Sequence, residues 1–195
     1  MIIKDFEINT SGDVYIPRED SLLLADVLWE FGDLGDVLDM GTGSGIQALV
    51  VSKKAKRVLG VDINPRAVEL AEKNAKINRS NNVVFIVSDL FDKVTGEYDL
   101  ILFNAPYLPV EDEIEGSEQW SGGKTGRNLL ERFARDVKDY LREDGIILVT
   151  ISSLTGLEET KKLFKRYGFK TGIIRKKKVP WEMLYVLKIT PLEQN

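Results

Sequence analysis

The sequence predicts an α/β fold built on a mostly parallel seven-stranded sheet, with helices on both faces and an antiparallel hairpin at the C-terminal end. Three observations predict it. Short apolar runs alternate with amphipathic segments from about residue 19 to residue 167. The last two strand-like runs, 169–178 and 181–190, are joined only by Val179-Pro180, and so short a connection requires antiparallel pairing. No internal repeat or linker is present, so we expect residues 1–195 to form a single domain.

The first half of this pattern contains three expected helices and three expected strands. Glu19-Asp20-Ser21 opens a helix that runs through Leu28, with acidic residues in the first turn, where the helix dipole favours negative charge. Pro65 is well placed as the first residue of another helix, which extends to about Asn78. A further helix begins at Ile46, and the expected strands occupy 36–40, 57–62 and 83–87.

The second half adds two strands, two helices and a long loop before the hairpin. The strands are expected at 98–103 and 145–151, and the helices at about 126–141 and 157–167. The loop, about 108–124, is acidic at first and then glycine-rich. A loop of this length in a compact domain usually has a function.

The composition excludes several kinds of site. The chain has no Cys and no His, which rules out disulfides, a thiolate nucleophile and zinc sites built from these residues, so we expect no metal centre. The net charge of −4 argues against holding nucleic acid by bulk electrostatics. Charges interrupt the N-terminal apolar residues, and no apolar run approaches the ~18 residues of a membrane span. We therefore expect a cytoplasmic protein without a membrane partner.

A glycine-rich turn between the first expected strand and the following helix predicts a ligand pocket. Gly41, Gly43 and Gly45 would let a ligand approach the backbone closely. A dinucleotide-binding loop would have glycine at position 46, where this chain has Ile46. Taken alone, the turn is also consistent with an ordinary tight connection between a strand and a helix.

Three aspartates strengthen the case for a pocket. Asp39 ends the first expected strand, Asp62 ends the second and Asp89 follows the third. Parallel strands end at one edge of a sheet, beside the ligand crevice, so the three carboxylates should converge there. S-adenosylmethionine fits this set, because Asp62 would accept from both ribose hydroxyls, Asp89 from the adenine amino group, and Asp39 would offset the positive charge of the methionine end. Leu90 would offer its backbone beside the adenine ring, although each aspartate alone is also typical of a turn or cap.

Asn104-Ala105-Pro106-Tyr107, directly after the fourth expected strand, indicates the chemistry. A planar amino group of an amide or a nucleobase is a poor nucleophile, because its lone pair is delocalised. The Asn104 side-chain carbonyl and the Ala105 backbone carbonyl can accept its two N–H groups and so activate it. Pro106 restricts Ala105 to extended geometry, and Tyr107 can stack on the flat target group or cover core residues. These four residues are the expected catalytic residues.

Together these motifs resemble those of the HemK-related glutamine methyltransferases, which modify the Gly-Gly-Gln loop of class I translation release factors. The segment from Tyr15 to Ser21 is similar to the family's Tyr-x-Pro-x-Glu-Asp-Ser/Thr motif, and 120–127 is similar to its Trp-x-Gly-Gly-x-x-Gly-Arg motif. The resemblance implies a class I methyltransferase (Rossmann-like) fold with S-adenosyl-L-methionine as cofactor. It implies these cofactor-binding residues: Ser21, Asp39, Gly41, Gly43, Gly45, Asp62, Ile63, Asp89, Leu90 and Asn104.

Two departures from the family pattern are informative. The usual catalytic motif is Asn-Pro-Pro-Tyr, and Ala105 replaces its first proline, which removes loop rigidity but keeps the backbone carbonyl. Only about a dozen residues precede Tyr15, so we do not expect the N-terminal helical domain of the bacterial members. The short form resembles the archaeal and eukaryotic branch, whose members work with a small zinc-binding activator subunit. The implied partners are that subunit, in a heterodimer, and a release factor as the protein substrate.

Three alternatives to glutamine methylation stay open. Nucleic-acid adenine-N6 or cytosine-N4 methyltransferases share Asn-x-Pro-Tyr, because a nucleobase amino group presents the same pair of N–H groups; acidity and small size count against this reading. A protein lysine methyltransferase is the second alternative, and a non-catalytic cofactor-binding subunit is the third. The basic run from Arg175 to Lys178 suits nucleic-acid contact, but on an edge strand such charges more often prevent aggregation. The apolar residues Ile2, Ile3 and Phe6 suit either a partner surface or strand core.

Overall fold

The computed structural model describes residues 1–105 and 127–192. Its helices are α1 (Glu19–Trp29), α2 (Ile46–Ser52), α3 (Pro65–Ile77), α4 (Arg127–Asp136) and α5 (Leu157–Arg166). Its strands are β1 (Ile2–Ile3), β2 (Phe6–Glu7), β3 (Leu34–Met40), β4 (Ala55–Asp62), β5 (Val83–Val87), β6 (Tyr98–Asn104), β7 (Leu141–Ser152), β8 (Phe169–Val179) and β9 (Glu182–Pro191). None of the helices in the described ranges is long and apolar enough to cross a membrane.

The main sheet has seven strands in the order β5-β4-β3-β6-β7-β9-β8. The first five in this order run parallel, and β9 pairs antiparallel with both β7 and β8. Core side chains form one buried cluster with α1, α2 and α3 and another with α4 and α5, so helices cover both faces. The predicted fold class is therefore confirmed.

Two predicted boundaries are wrong. The helix expected to reach Leu141 ends at Asp136; a 3-10 turn, Val137–Tyr140, follows it, and Leu141 already belongs to β7. The cause is a bulge, because Leu141 pairs with Tyr98 whereas the next pair joins Leu100 to Ile146. The hairpin loop is also shifted by one residue, because Val179 pairs with Glu182 and leaves Pro180-Trp181 as the turn.

The N-terminal apolar residues divide between core and surface. β1 and β2 form a two-stranded hairpin that buries Ile3 and Phe6 in the cluster under α1 and leaves Ile2 exposed. Asn78, directly after α3, exchanges two hydrogen bonds with the backbone of Glu7, at 2.9 and 2.7 Å. The segment is thus part of the strand core, and its apolar residues are mostly not available as a partner surface.

A network of charged side chains lies at the edge of the sheet where β3, β4, β6 and β7 begin, and it connects these strands. The buried carboxylate of Asp36 accepts hydrogen bonds from Arg57 at 2.7 and 2.9 Å and from Arg142 at 2.8 Å. Arg142 also pairs with Asp99. The bonds from Arg57, and then those from Arg142, hold the pKa of Asp36 well below its ordinary value in spite of burial. Arg142, in the β7 bulge, therefore connects β7 to β3 and β6.

We predict that Asp36→Asn lowers the free energy of unfolding by about 1.5–3 kcal/mol at pH 7, because it removes charge-assisted hydrogen bonds from a buried acceptor. A lowered carboxyl pKa adds stability above its unfolded value and loses it as the pH falls, so the difference from wild type should shrink below pH ~4. Urea denaturation at pH 7 and below pH ~4 measures the difference in the free energy of unfolding. The exposed Asp33, changed to Asn, is the matched control, and an equal loss in both variants would contradict the prediction.

Candidate functional site

The C-terminal edge of the parallel strands brings the predicted site residues together. Asp39 pairs with Leu102 across β3 and β6, and Asn104 extends β6 beyond the last of these pairs. Asp62 ends β4, the strand on the other side of β3. The parallel register therefore places Asp39, Asp62 and Asn104 on three adjacent strands at one edge, as the sequence predicts.

The turn after β3 depends on glycine at three positions. Gly41, Gly43 and Gly45 all have positive φ, at 65°, 54° and 80°, a conformation that side-chain-bearing residues rarely adopt. A Cβ at Gly43 would meet no atom within 4 Å, so this point of the loop faces open space. A Cβ at Gly45 would lie 3.0 Å from Ala71 of α3. The loop thus packs closely on one side and leaves room for a ligand on the other.

Asp39 is a buried carboxylate inside the turn. Its Oδ2 accepts from the Thr42 hydroxyl at 2.6 Å and from the Ala48 backbone N–H at 3.2 Å. Burial raises the pKa of Asp39 to about 7, and the nearby charge of Asp62 acts in the same direction. A group with this pKa changes charge near neutral pH, so a cation placed beside it would favour its ionised form.

Asp62 is held by the backbone of two loops. Its two oxygens accept from Gly43 N–H and Asn64 N–H, both at 2.9 Å. Burial raises the pKa of Asp62 above its ordinary value, and these backbone bonds partly offset the rise. Each carboxylate oxygen has a second lone pair, so this fixed carboxylate can accept further hydrogen bonds. Ile63, the next residue, is exposed at the same edge.

Asp89 has a partner that sequence reasoning missed. Arg132 of α4 donates to its Oδ2 at 2.9 Å, and both side chains are partly exposed. The next residue, Leu90, has a positive φ of 46°, and the Ser88 hydroxyl donates to its carbonyl at 2.9 Å. The segment after β5 is therefore fixed by its own hydrogen bonds, with one oxygen of Asp89 used by the ion pair.

The Asn104 side chain has a fixed orientation. Its Nδ2 donates to Asp20 Oδ2 at 3.1 Å and to Ser21 Oγ at 3.2 Å, both in the first turn of α1. Its carbonyl oxygen, Oδ1, is buried and accepts no hydrogen bond from any described residue. A carboxylate can only accept, so Asp20 prevents the amide from turning over. The side-chain oxygen of Asn104 is therefore a hydrogen-bond acceptor that no described residue uses.

Two further side chains support this turn of α1. The Tyr15 hydroxyl donates to Asp20 Oδ1 at 2.9 Å. Gln47 of α2 donates to the Ser21 carbonyl at 2.9 Å, which connects α1 to the helix that follows the glycine turn. The buried Asn74 of α3 donates to the Ser44 carbonyl at 2.8 Å and so supports the turn itself.

Sequence reasoning missed the supporting roles of Asp20, Gln47 and Asn74. A usable signal was present in each case, since each is a polar residue on the apolar face of a helix. Asn74 lies between Ala71 and Ala75, and Asp20 lies beside Leu23 and Leu24. Polar side chains on a buried face are hydrogen-bonded as a rule, and here their partners belong to the site.

Several predicted residues cannot be placed. Pro106, Tyr107 and Trp120 lie outside the described residues. Ala105 is described, and its side chain is buried in the cluster with α4 and α5. Arg127, the first residue of α4, donates to the Thr155 carbonyl at 3.1 Å. That bond ties α4 to the loop after β7.

The sequence and the fold match those of known methyltransferases. The family model of the methyltransferase small domain matches residues 19–178. A protein of Methanocaldococcus jannaschii, named provisionally a protein N5-glutamine methyltransferase, is 45% identical over 190 residues, which are 95% of each chain. Methyltransferase HEMK2 of Homo sapiens is 31% identical over 193 residues, covering 92% of this chain and 90% of that protein.

Among solved structures, the E. cuniculi Mtq2–Trm112 complex is similar, with a TM-score of 0.73 and 27% identity. The alignment covers 92% of this chain and 99% of that one. That complex is described as responsible for methylation of the eRF1 translation termination factor.

Proposed function

This chain belongs to the methyltransferase small domain family and to its HemK-related members, and on that premise we propose that it methylates the glutamine side-chain nitrogen of the Gly-Gly-Gln motif in a translation release factor. The methyl donor is S-adenosylmethionine. The relatives' names and the eRF1 activity of the Mtq2–Trm112 complex support the choice of substrate. The same complex supports a small partner subunit, which we expect to bind zinc.

One observation carries the proposal at the level of chemistry: the buried Oδ1 of Asn104 has no donor, while its Nδ2 is held by Asp20 and Ser21. A glutamine amide has two N–H groups to donate. When Asn104 accepts one and the Ala105 backbone carbonyl accepts the other, electron density returns to the nitrogen. A nitrogen fixed in this way would take the methyl group as the bond from that group to sulfur breaks, without prior removal of a proton, and solvent would take the proton afterwards. Pro106 and Tyr107 complete the expected arrangement.

The donor's pocket is assigned to the glycine turn and the three aspartates. When bound, S-adenosylmethionine supplies an electrophilic methyl group on a positively charged sulfur. The open space at Gly43, the buried carboxylate of Asp39 and the partly buried carboxylate of Asp62 fit a polar cationic ligand. Asp62 would hold the ribose hydroxyls, and Asp89 would hold the adenine amino group with the oxygen that Arg132 leaves free. Asp39 would face the cationic methionine end.

The smaller residues of the site also have proposed roles. Gly41 and Gly45 shape the turn, and Ile63 and Leu90 line the side of the pocket assigned to the nucleoside. Ser21 connects Asn104 to α2, the helix after the glycine turn. Its hydroxyl accepts a hydrogen bond from Asn104, and its carbonyl accepts one from Gln47. A site of this kind gains most of its rate by orienting the two reactants, an effect with an upper range of ~7–11 kcal/mol.

Transfer of a labelled methyl group tests the proposal directly. The purified chain is given labelled S-adenosylmethionine with a Gly-Gly-Gln release factor or with a mixed DNA and RNA pool, each with and without a small zinc-binding partner subunit. We expect label on the release-factor glutamine, identified by peptide mass spectrometry. Label on a lysine or only on nucleic acid would contradict the proposal.

We predict that Asn104→Ala lowers kcat for methyl transfer roughly 10²–10³-fold, the usual cost of removing one pre-organised hydrogen-bond partner of a reacting group. The dissociation constant for S-adenosylmethionine should change less than threefold, because the donor pocket is left in place. Single-turnover kinetics and calorimetry measure the two quantities. Activity near wild type would show that the Asn104 oxygen is not the acceptor.

We predict that Asp20→Asn lowers kcat roughly 10–100-fold, because an amide at position 20 no longer dictates which end of Asn104 faces the substrate and a charge-assisted bond is lost. KM for the release factor should stay within threefold. The matched control is Glu19→Gln, which neutralises the neighbouring exposed carboxylate. Equal effects of the two substitutions would contradict a positioning role for Asp20.

We predict that S-adenosylmethionine binds up to roughly tenfold more tightly at pH 7.5 than at pH 5.5, because the raised pKa of Asp39, about 7, leaves it mostly neutral at the lower pH. The same raised pKa means that this group stabilises the ligand-free fold at low pH and loses that effect as the pH rises toward 7. Calorimetry across this range measures the affinity. Asp39→Asn should bind weakly and with a much smaller dependence on pH, and an unchanged slope in that variant would refute the assignment.

A further inference from the structure

Trp181 is an unusual residue at the tip of the β8–β9 hairpin. Its side chain is 96% exposed, although large aromatic residues are normally buried. Its φ is +74°, in the left-handed region that favours glycine. The two-residue loop is Pro180-Trp181, and proline fixes φ near −65°. This combination is that of a type II turn, in which the position of Trp181 is normally glycine or asparagine.

The fold gains nothing from tryptophan at this position. The side chain packs against no core cluster among the described residues, and its backbone conformation is unfavourable for a residue with a Cβ. A strained residue that does not serve the local structure points to a role outside it. Tryptophan is also the residue type most enriched among the energetic centres of protein interfaces.

The hairpin tip lies at the same edge of the sheet as Asn104. Asn104 pairs with Thr150, and Thr150 pairs with Val186 of β9. Two strand spacings separate β6 from β9 across the sheet, and five residues separate Val186 from Trp181 along β9. Together these two distances place the tip roughly 20 Å from Asn104. That is too far for contact with a glutamine in the site, but it is within the footprint of a protein whose loop enters the site.

The charges around the tip are divided between two faces of β8. Arg175 and Lys177 form ion pairs with Glu30 and Glu19 of the α1 region. Lys176 and Lys178 are exposed and form no ion pair with any residue that the structure describes. Leu154 is exposed in the loop that hydrogen-bonds to Met183, close to the hairpin turn. We call Leu154, Lys176, Lys178 and Trp181 the hairpin-tip surface.

We propose that the hairpin-tip surface docks the body of the methyl-acceptor protein through an acidic patch with an apolar recess for Trp181. The proposal rests on the proposed function, because it concerns the same substrate. The two unpaired lysines select an acidic partner, and Trp181 supplies the apolar contact. The chain's net charge of −4 makes a protein a better partner than a polyphosphate. The surface thus recognises the protein that carries the target loop, at a distance from the reacting glutamine.

The test compares a whole release factor with a short peptide that carries only the Gly-Gly-Gln loop. The variants are Trp181→Gly and Lys178→Glu, with Lys56→Glu as the control for charge reversal at an exposed position of β4. Glycine suits the turn, so the thermal midpoint of Trp181→Gly should equal or exceed that of wild type. Lys178→Glu keeps a charge on the edge strand, so protection against aggregation is retained.

We expect Trp181→Gly to raise KM for the whole release factor roughly tenfold, with kcat and the kcat/KM for the peptide within twofold of wild type. Lys178→Glu should raise the same KM severalfold, more so at low salt, and Lys56→Glu should leave it unchanged. Equal losses with protein and peptide, or no change with either, would overturn the docking surface. With a mixed DNA and RNA pool as a third substrate, a loss confined to nucleic acid would overturn the choice of partner. If wild-type enzyme methylates neither substrate, the proposed function itself fails and the docking proposal falls with it.

Discussion

The two hydrogen bonds from the Asn104 amide to Asp20 and Ser21 are the contact on which the rest of the site depends. An asparagine amide is nearly symmetrical in shape, and only its partners decide which end faces a ligand. Here a carboxylate and a hydroxyl take the nitrogen, so the oxygen is left buried and available. The first turn of α1 therefore defines the chemistry offered by the end of β6, although the two segments lie more than eighty residues apart in the sequence.

The fold separates two uses of carboxylates at opposite edges of one sheet. At the edge where the strands begin, Asp36 is paired with two arginines, and its lowered pKa keeps it ionised. At the edge where they end, Asp39 is buried and Asp62 partly buried, neither has a basic partner among the residues described, and the loss of solvent raises their pKa values. The first arrangement stabilises the sheet. The second leaves negative charge to be stabilised by a cationic ligand, as the proposed methyl donor requires.

The sequence alone allowed prediction of the sheet, the glycine turn and the convergence of Asp39, Asp62 and Asn104, because these follow from periodicity and from the geometry of parallel strands. It could not indicate that Asp20 faces Asn104 or that Arg132 reaches Asp89, because such contacts depend on how helices pack over a sheet. The early end of α4 was missed for a similar reason, since helical periodicity continues to Leu141 while sheet pairing begins there. The conformation of Trp181 follows from the register of β8 and β9, which shifted the turn by one residue.

The most direct test of the central claim is hydrogen exchange of the Asn104 side-chain amide, followed by NMR with ¹⁵N-asparagine labelling and assigned by its absence in Asn104→Ala. If Asp20 and Ser21 hold the amide, its N–H groups exchange far more slowly than those of the exposed Asn81, and they lose this protection when Asp20 is changed to Asn and Ser21 to Ala together. Exchange in wild type as fast as at Asn81 would contradict the account, because the orientation of the acceptor would then not be fixed by α1.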